Sequence, residues 1–158
     1  MSHAVATIEP EEILRDLLRL DPRLRQERYW GERSVFYNPG GIAPLGMIFA
    51  SIKDHDGPND SSADLSRDGV YRFAFCMPKN SYAELFGDVP ARPPRAGVVA
   101  LPDYDPTQLG ELMPHPVYAW MRWVQILSPS RPQFESLRPH LDASLEHVQA
   151  KWKRRKPA

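Results

Sequence analysis

Tyr29-Trp30-Gly31-Glu32-Arg33-Ser34-Val35-Phe36-Tyr37-Asn38-Pro39-Gly40-Gly41 is the stretch whose reading decides the fold. Aromatic and β-branched residues flank Gly31, and Asn-Pro-Gly-Gly closes the run. It reads as two short strands or one bulged strand, ended by a turn. Downstream, residues 46–53 (Gly-Met-Ile-Phe-Ala-Ser-Ile-Lys) form a strand with apolar residues on both faces, which suits a central place in a sheet. Residues 70–77 read as another, with Tyr71, Phe73, Phe75 and Met77 on one face and Val70, Arg72, Ala74 and Cys76 on the other. Residues 118–127 carry the strongest β propensity in the chain. Val98 to Leu101 is expected to be a short edge strand, and residues 105–112 to hold one helical turn.

Helices bracket these strands. Ile13, Leu14, Leu17 and Leu18 make one apolar stripe, Pro10 suits a first helical turn, and Asp21-Pro22 stops the run. Pro78 opens a short helix to Phe86, closed by Gly87. Ser130 and Gln133 have the spacing of a capping box, opening a helix with Phe134, Leu137, Leu141, Leu145, Val148 and Trp152 on its core stripe. Pro139 is expected to kink or split it near Arg138. The expected fold is α+β: an antiparallel sheet of about five strands, with the N-terminal and long C-terminal helices packed on one face. Residues 1–158 are read as one domain with a core over about 9–152, residues 1–8 and 153–158 fraying.

Composition narrows the function classes. Lys+Arg and Asp+Glu are 20 each, so the formal net charge is zero, which disfavours a protein built mainly to grip nucleic acid. Cys76 is the single cysteine, which excludes an internal disulfide and a cysteine-based zinc site and suits a reducing compartment. The N-terminus lacks the basic and apolar regions of a signal peptide, and no apolar run is long enough to span a bilayer. A cytoplasmic protein with no membrane partner is expected.

Three segments carry a resemblance: the Trp30 to Gly41 run, Asp56-Gly57-Pro58-Asn59-Asp60, and His115-Pro116-Val117-Tyr118-Ala119-Trp120-Met121-Arg122-Trp123-Val124. They resemble an uncharacterised bacterial family, common in actinobacteria, known only as a domain of unknown function. Such membership implies no activity and transfers no catalytic residues. The order of elements also looks like the MmcQ/YjbR family, with a CyaY-like double-wing fold. Trp123-Val124-Gln125-Ile126 and the helix from Ser130 to Trp152 fill its last two places. That likeness implies DNA binding as one possible role. The long 54–67 loop and the Pro-rich 88–94 insert depart from its pattern.

Candidate chemistry is sparse. Asp54, Asp56 and Asp60 suggest a hard-cation loop, but an EF-hand needs Gly at its sixth position and Glu at its twelfth, where Asn59 and Leu65 stand. A solvated loop of turn formers is the simpler account, and a lid over a pocket is a third. His115, between Pro114 and Pro116, is the candidate general base; the bland alternative is a histidine hydrogen-bonded at a turn. Nucleophile elbows and phosphate-binding glycine loops are absent from the sequence. Trp30, Glu32, Arg33, Tyr37 and Asn38, with Arg72, Tyr118, Trp120 and Arg122, interleave aromatics with arginines as a ligand pocket or stacking surface does. Ordinary sheet packing is the alternative. The basic run at residues 151–156 reads as a cationic helix end.

Two functions of different class follow. One is a binding or regulatory module that meets a small molecule or protein partner through Trp30, Arg33, Tyr37, Asn38, Arg72, His115, Tyr118 and Trp120. The other is a small enzyme with a pocket around His115 and Arg33 covered by the 54–67 loop. A DNA-binding double-wing protein is a further alternative. No cofactor is implied.

Overall fold

The computed structural model describes residues 6–155. Helix α1, Pro10–Leu18, places Glu11 and Glu12 at its positive end and buries Ile13, Leu14 and Leu17. It ends ahead of Asp21, whose carboxylate accepts hydrogen bonds from the Arg23 backbone N–H at 2.8 Å and from the Gln149 amide at 2.9 Å. The turn after α1 is thereby tied to the last helix.

The sheet has six antiparallel strands in the order β1-β2-β3-β4-β6-β5. They are β1, Leu24–Tyr29; β2, Glu32–Tyr37; β3, Met47–Lys53; β4, Arg72–Cys76; β5, Met113–Pro114; and β6, Trp123–Leu127. The expectation of about five strands is corrected by β1, an edge strand exposed at every residue after Leu24, whose charged side chains carry no apolar alternation. The two strands around Gly31 form a hairpin with a two-residue loop. Trp30 (φ 54°) and Gly31 (φ 76°) both take positive φ, as a type I′ turn requires.

Two further expectations are corrected. Residues 98–101 and 105–112 form neither strand nor helix; Val99 and Leu109 make isolated backbone contacts to Pro116 and Leu127. The segment from Tyr118 does not enter the sheet at once. Ala119–Met121 is a 3-10 turn ended by Arg122 in the left-handed region, and the strand starts at Trp123. A local turn overrides the β propensity of these aromatics.

Helix α2 is Lys79–Phe86. The C-terminal helix is split, as Pro139 predicts, into α3, Arg131–Ser136, and α4, Arg138–Arg154. Proline has no N–H to offer the Glu135 carbonyl and its ring crowds that group. Both halves of the capping box form, between Ser130 Oγ and the Gln133 N–H (3.2 Å) and between the Ser130 N–H and Gln133 Oε1 (2.9 Å). Of the ends expected to fray, residues 1–5 and 156–158 lie outside the described residues, whereas Ile8 is buried in the core.

α1, α3 and α4 cover one face of the sheet. Ile13, Leu17, Val35, Phe49, Phe73, Phe75, Phe134, Leu141 and Val148 belong to one continuous core. The opposite face is covered only in part. Ala63 and Leu65 of the 54–67 loop pack on Leu127, Arg67 donates to the Thr107 carbonyl at 2.9 Å, and the Gln125 amide donates to the Pro106 carbonyl at 3.1 Å. These loops roof the sheet over β4 and β6 and leave β2 and β3 open. Among the described residues no helix is long and apolar enough to cross a membrane.

Candidate functional site

The open half of the sheet carries a pocket of about 340 Å³. Its floor follows from side-chain size. Ser34 of β2 stands opposite Ser51 of β3, which stands opposite Ala74 of β4, so one row across the sheet has almost no side-chain bulk. A β-bulge shifts register: Val35 pairs Ala50, but Phe36 pairs Ile48, leaving Phe49 as the extra residue. Because of it Ile48 and Ser51, three apart in sequence, both line the pocket.

The walls are aromatic. Tyr29 and Trp30 come from the β1–β2 hairpin, with ring planes at 79° and centroids 6.0 Å apart. Tyr118, Met121 and Trp123 come from the segment leading into β6. The hairpin wall is built at a conformational cost, because a tryptophan at positive φ is unfavourable by about 1–2 kcal/mol. Trp30 is nonetheless 81% exposed. Little of its ring is used by the core.

Glu32 accepts a hydrogen bond from Ser51 Oγ at 3.0 Å and has no ion-pair partner among the described residues. His115 is buried, and its Nδ1 accepts from the Val117 and Tyr118 backbone N–H groups at 3.0 and 3.2 Å. That assigns the proton of the neutral ring to Nε2. Burial, with the nearby Arg72 and Lys53 charges, pushes the His115 pKa well below its ordinary value. Burial also raises the Tyr118 phenol, and the Glu32 and Asp60 charges add to it.

Behind His115 lies a buried ionic cluster. Arg72 donates to both carboxylate oxygens of Asp60, and Lys53 Nζ lies 3.1 Å from Asp60 Oδ2. Burial pushes the Asp60 carboxyl up, but the hydrogen bonds and charge of Arg72 outweigh it and hold the group well below the usual carboxylate range. Asp60 thus reaches from the 54–67 loop to the sheet and anchors that loop.

Of the residues singled out from the sequence, Trp30, Glu32, His115 and Tyr118 meet in this pocket. Arg72 lies beneath the open face, engaged with Asp60. Arg33 is on the opposite, helix-covered side, 2.8 Å from Glu11 of α1. Tyr37 packs edge-on to Trp152 of α4. Asn38 closes the turn after β2 through two hydrogen bonds with Ala43. Trp120 donates to the Val117 carbonyl and lies under the Arg92 guanidinium, away from the pocket lining. Asp54, Asp56 and Asp60 diverge: Asp54 meets His55, Asp56 accepts from the Leu65 N–H and the Ser66 hydroxyl, and Asp60 holds Arg72. Among the described residues no cluster of three or more His, Cys, Asp or Glu side chains is placed to hold a metal ion. The 54–67 loop contributes no lining residue.

Sequence reasoning missed Tyr29, Ser34, Ile48, Ser51, Met121 and Trp123. Strand alternation was the available signal for one of them: Ser34 shares a face of β2 with Glu32, opposite to Arg33, Val35 and Tyr37. Cys76 departs from that alternation, since its thiol lies 3.6 Å from Ser144 Oγ of α4, where burial raises its pKa.

Fold and site define an α+β sheet protein with helices on one face and an aromatic-walled pocket on the other. The chain belongs to a family of unknown function (DUF6194), whose family model matches residues 8–157. No curated protein and no solved structure matches it.

Proposed function

We infer that this protein is a small-molecule-binding module whose ligand enters the pocket between the β1–β2 hairpin and the segment from His115 to Trp123. The observation that carries this reading is where exposed apolar surface gathers. Tyr29, Trp30, Tyr118 and Met121 are all large, solvent-exposed hydrophobic side chains, and all four line this one pocket. Exposed apolar side chains scattered singly need no explanation, but a cluster around a concavity with a few polar groups is what ligand sites look like. The enzyme alternative has less support. With Nδ1 engaged by two backbone donors and the proton on Nε2, His115 meets the pocket as a hydrogen-bond donor rather than as a base. The DNA-binding alternative, and the MmcQ/YjbR likeness behind it, draws its support from element order alone. A reducing, cytoplasmic setting is part of the same proposal.

A thermal-shift screen of metabolites against the parent chain and against Trp30→Ala, Tyr118→Ala and Arg33→Ala tests it. Free ligand at a hundred-fold excess over Kd adds about 2.7 kcal/mol of stability. A response lost in the first two variants and kept in Arg33→Ala, which alters the other face, supports the pocket. A response lost only in Arg33→Ala refutes it.

A further inference from the structure

Resting on that reading, we propose that the ligand is an organic cation, carrying an N-alkylated or quaternary ammonium group held in the aromatic corner above Glu32. Three observations converge on this chemistry. The Tyr29 and Trp30 rings stand at 79° to one another, so together they form two walls of a cage rather than one stacking platform. Tyr118 and Trp123 supply aromatic surface from the far side. Ring faces carry negative charge density, and several around one concavity favour a cation over an anion or a neutral group.

The second observation is Glu32 itself. It is half-buried at the edge of the aromatic cluster and its one side-chain hydrogen bond is from Ser51. Lys53 follows Ser51 by two residues and so shares its side of β3. That ammonium is turned to Asp60 at 3.1 Å instead. A carboxylate lining an apolar pocket without a cation is electrostatically incomplete, and a cationic ligand completes it.

The third observation separates kinds of cation. A primary ammonium is strongly hydrated and needs about three hydrogen-bond acceptors when it leaves water. The walls around the one carboxylate are aromatic, and of the two serine hydroxyls on the floor that of Ser51 is already turned to Glu32, which suits an alkylated, weakly hydrated head. At the other end, the Nε2–H of His115 is a donor, so the same ligand has room for a hydrogen-bond acceptor away from its charged head.

The test follows tryptophan indole resonances by NMR during titration with choline, with its neutral carbon isostere 3,3-dimethylbutan-1-ol, and with benzoate as an anionic aromatic. The Trp30 indole signal is assigned through Trp30→Asn. The expected result is saturable movement of the Trp30 signal with choline, about tenfold tighter than with the isostere. Glu32→Gln keeps the acceptor for Ser51 and should reduce that tenfold preference, leaving the part due to the aromatic rings, with the isostere's affinity unchanged. Equal affinity for choline and the isostere, or a preference for benzoate, overturns the cationic ligand and leaves the pocket reading standing. Absence of any movement with all three overturns it too, and the pocket reading then stands or falls on the thermal-shift screen. Retention of the full choline preference in Glu32→Gln overturns the role given to Glu32 and with it the proposal.

Discussion

Arg72 grips both carboxylate oxygens of Asp60 from a strand in the middle of the sheet, with its side chain 1% exposed. Lys53, on the neighbouring strand, adds a second cation to the same carboxylate. This is a loop-to-sheet clasp: two buried cations share one buried anion, and the 54–67 loop is held down as a result. The expected consequence is a large loss of stability in Asp60→Asn, about 3–5 kcal/mol, because both cations are then left buried without a counter-ion. Asp54→Asn, in the same loop, breaks only the exposed pair with His55 and should stay within ~0.5 kcal/mol of the parent. Urea unfolding of the two variants measures the difference, and equal stabilities would refute the clasp.

His115 gives the fold a pH dependence of definite sign. Its native pKa lies well below 6.5, the value expected in the unfolded chain. Below pH 6.5 the unfolded chain therefore binds a proton that the native protein does not, and stability falls as the pH falls. The slope approaches about 1.4 kcal/mol per pH unit between 6.5 and the native pKa. His147 is shifted in the same direction, so the parent chain carries more than one such contribution. His115→Asn isolates one of them, because the Asn side-chain oxygen can accept from the Val117 and Tyr118 N–H groups in place of Nδ1. The variant should show a shallower loss of stability between pH 6 and pH 5, read by chemical denaturation at each pH. An unchanged slope would mean that His115 is not buried neutral.

Gly46 and Gly69 both have positive φ, at 94° and 73°, yet they differ in what a side chain would meet. A Cβ on Gly46 would lie 2.4 Å from the Tyr37 carbonyl oxygen, whereas one on Gly69 has nothing within 4 Å. Gly69→Ala should cost about 1 kcal/mol, the backbone term alone. Gly46→Ala adds a clash with the backbone of β2 at the edge of the core, and should cost clearly more than ~1 kcal/mol. Thermal unfolding of the pair is the check, and an equal loss in both would remove the steric argument.

How much of this was legible in the sequence depends on the kind of signal. The core helices, β3 and β4 were legible because burial writes periodicity into them: Ile13, Leu14 and Leu17 on α1, Phe73 and Phe75 on β4. β1 was not, because Arg25, Gln26, Glu27 and Arg28 are exposed and an edge strand needs no apolar face. Among the site residues, Trp30, Glu32, His115 and Tyr118 stood out by residue type. Ser34 and Ser51 did not, since what they contribute is an absence of bulk. Ile48 depended on a bulge that strand alternation does not encode. Arg33 and Tyr37 attracted attention by chemistry, but strand parity turns them to the helices. Asp60 and Arg72 are 12 residues apart and belong to a loop and a strand, so their pairing is a tertiary fact.

Trp30 gives the sharpest separation of fold from function. Its backbone sits at φ 54° in a type I′ turn, where asparagine followed by glycine is the favoured pair. Its ring is 81% exposed and makes one edge-on aromatic contact, to Tyr29. Trp30→Asn therefore relieves about 1 kcal/mol or more of left-handed strain, since asparagine visits that region readily. Against this it loses an aromatic contact of about 0.5–1.5 kcal/mol. The fold should stay within about 1 kcal/mol of the parent, while ligand response in the pocket is lost. On the proposed reading, the strain at this turn is the cost of presenting the Trp30 ring to a ligand. Urea unfolding beside ligand titration decides it. A large stability loss with binding intact would assign Trp30 to the fold and remove it from the site.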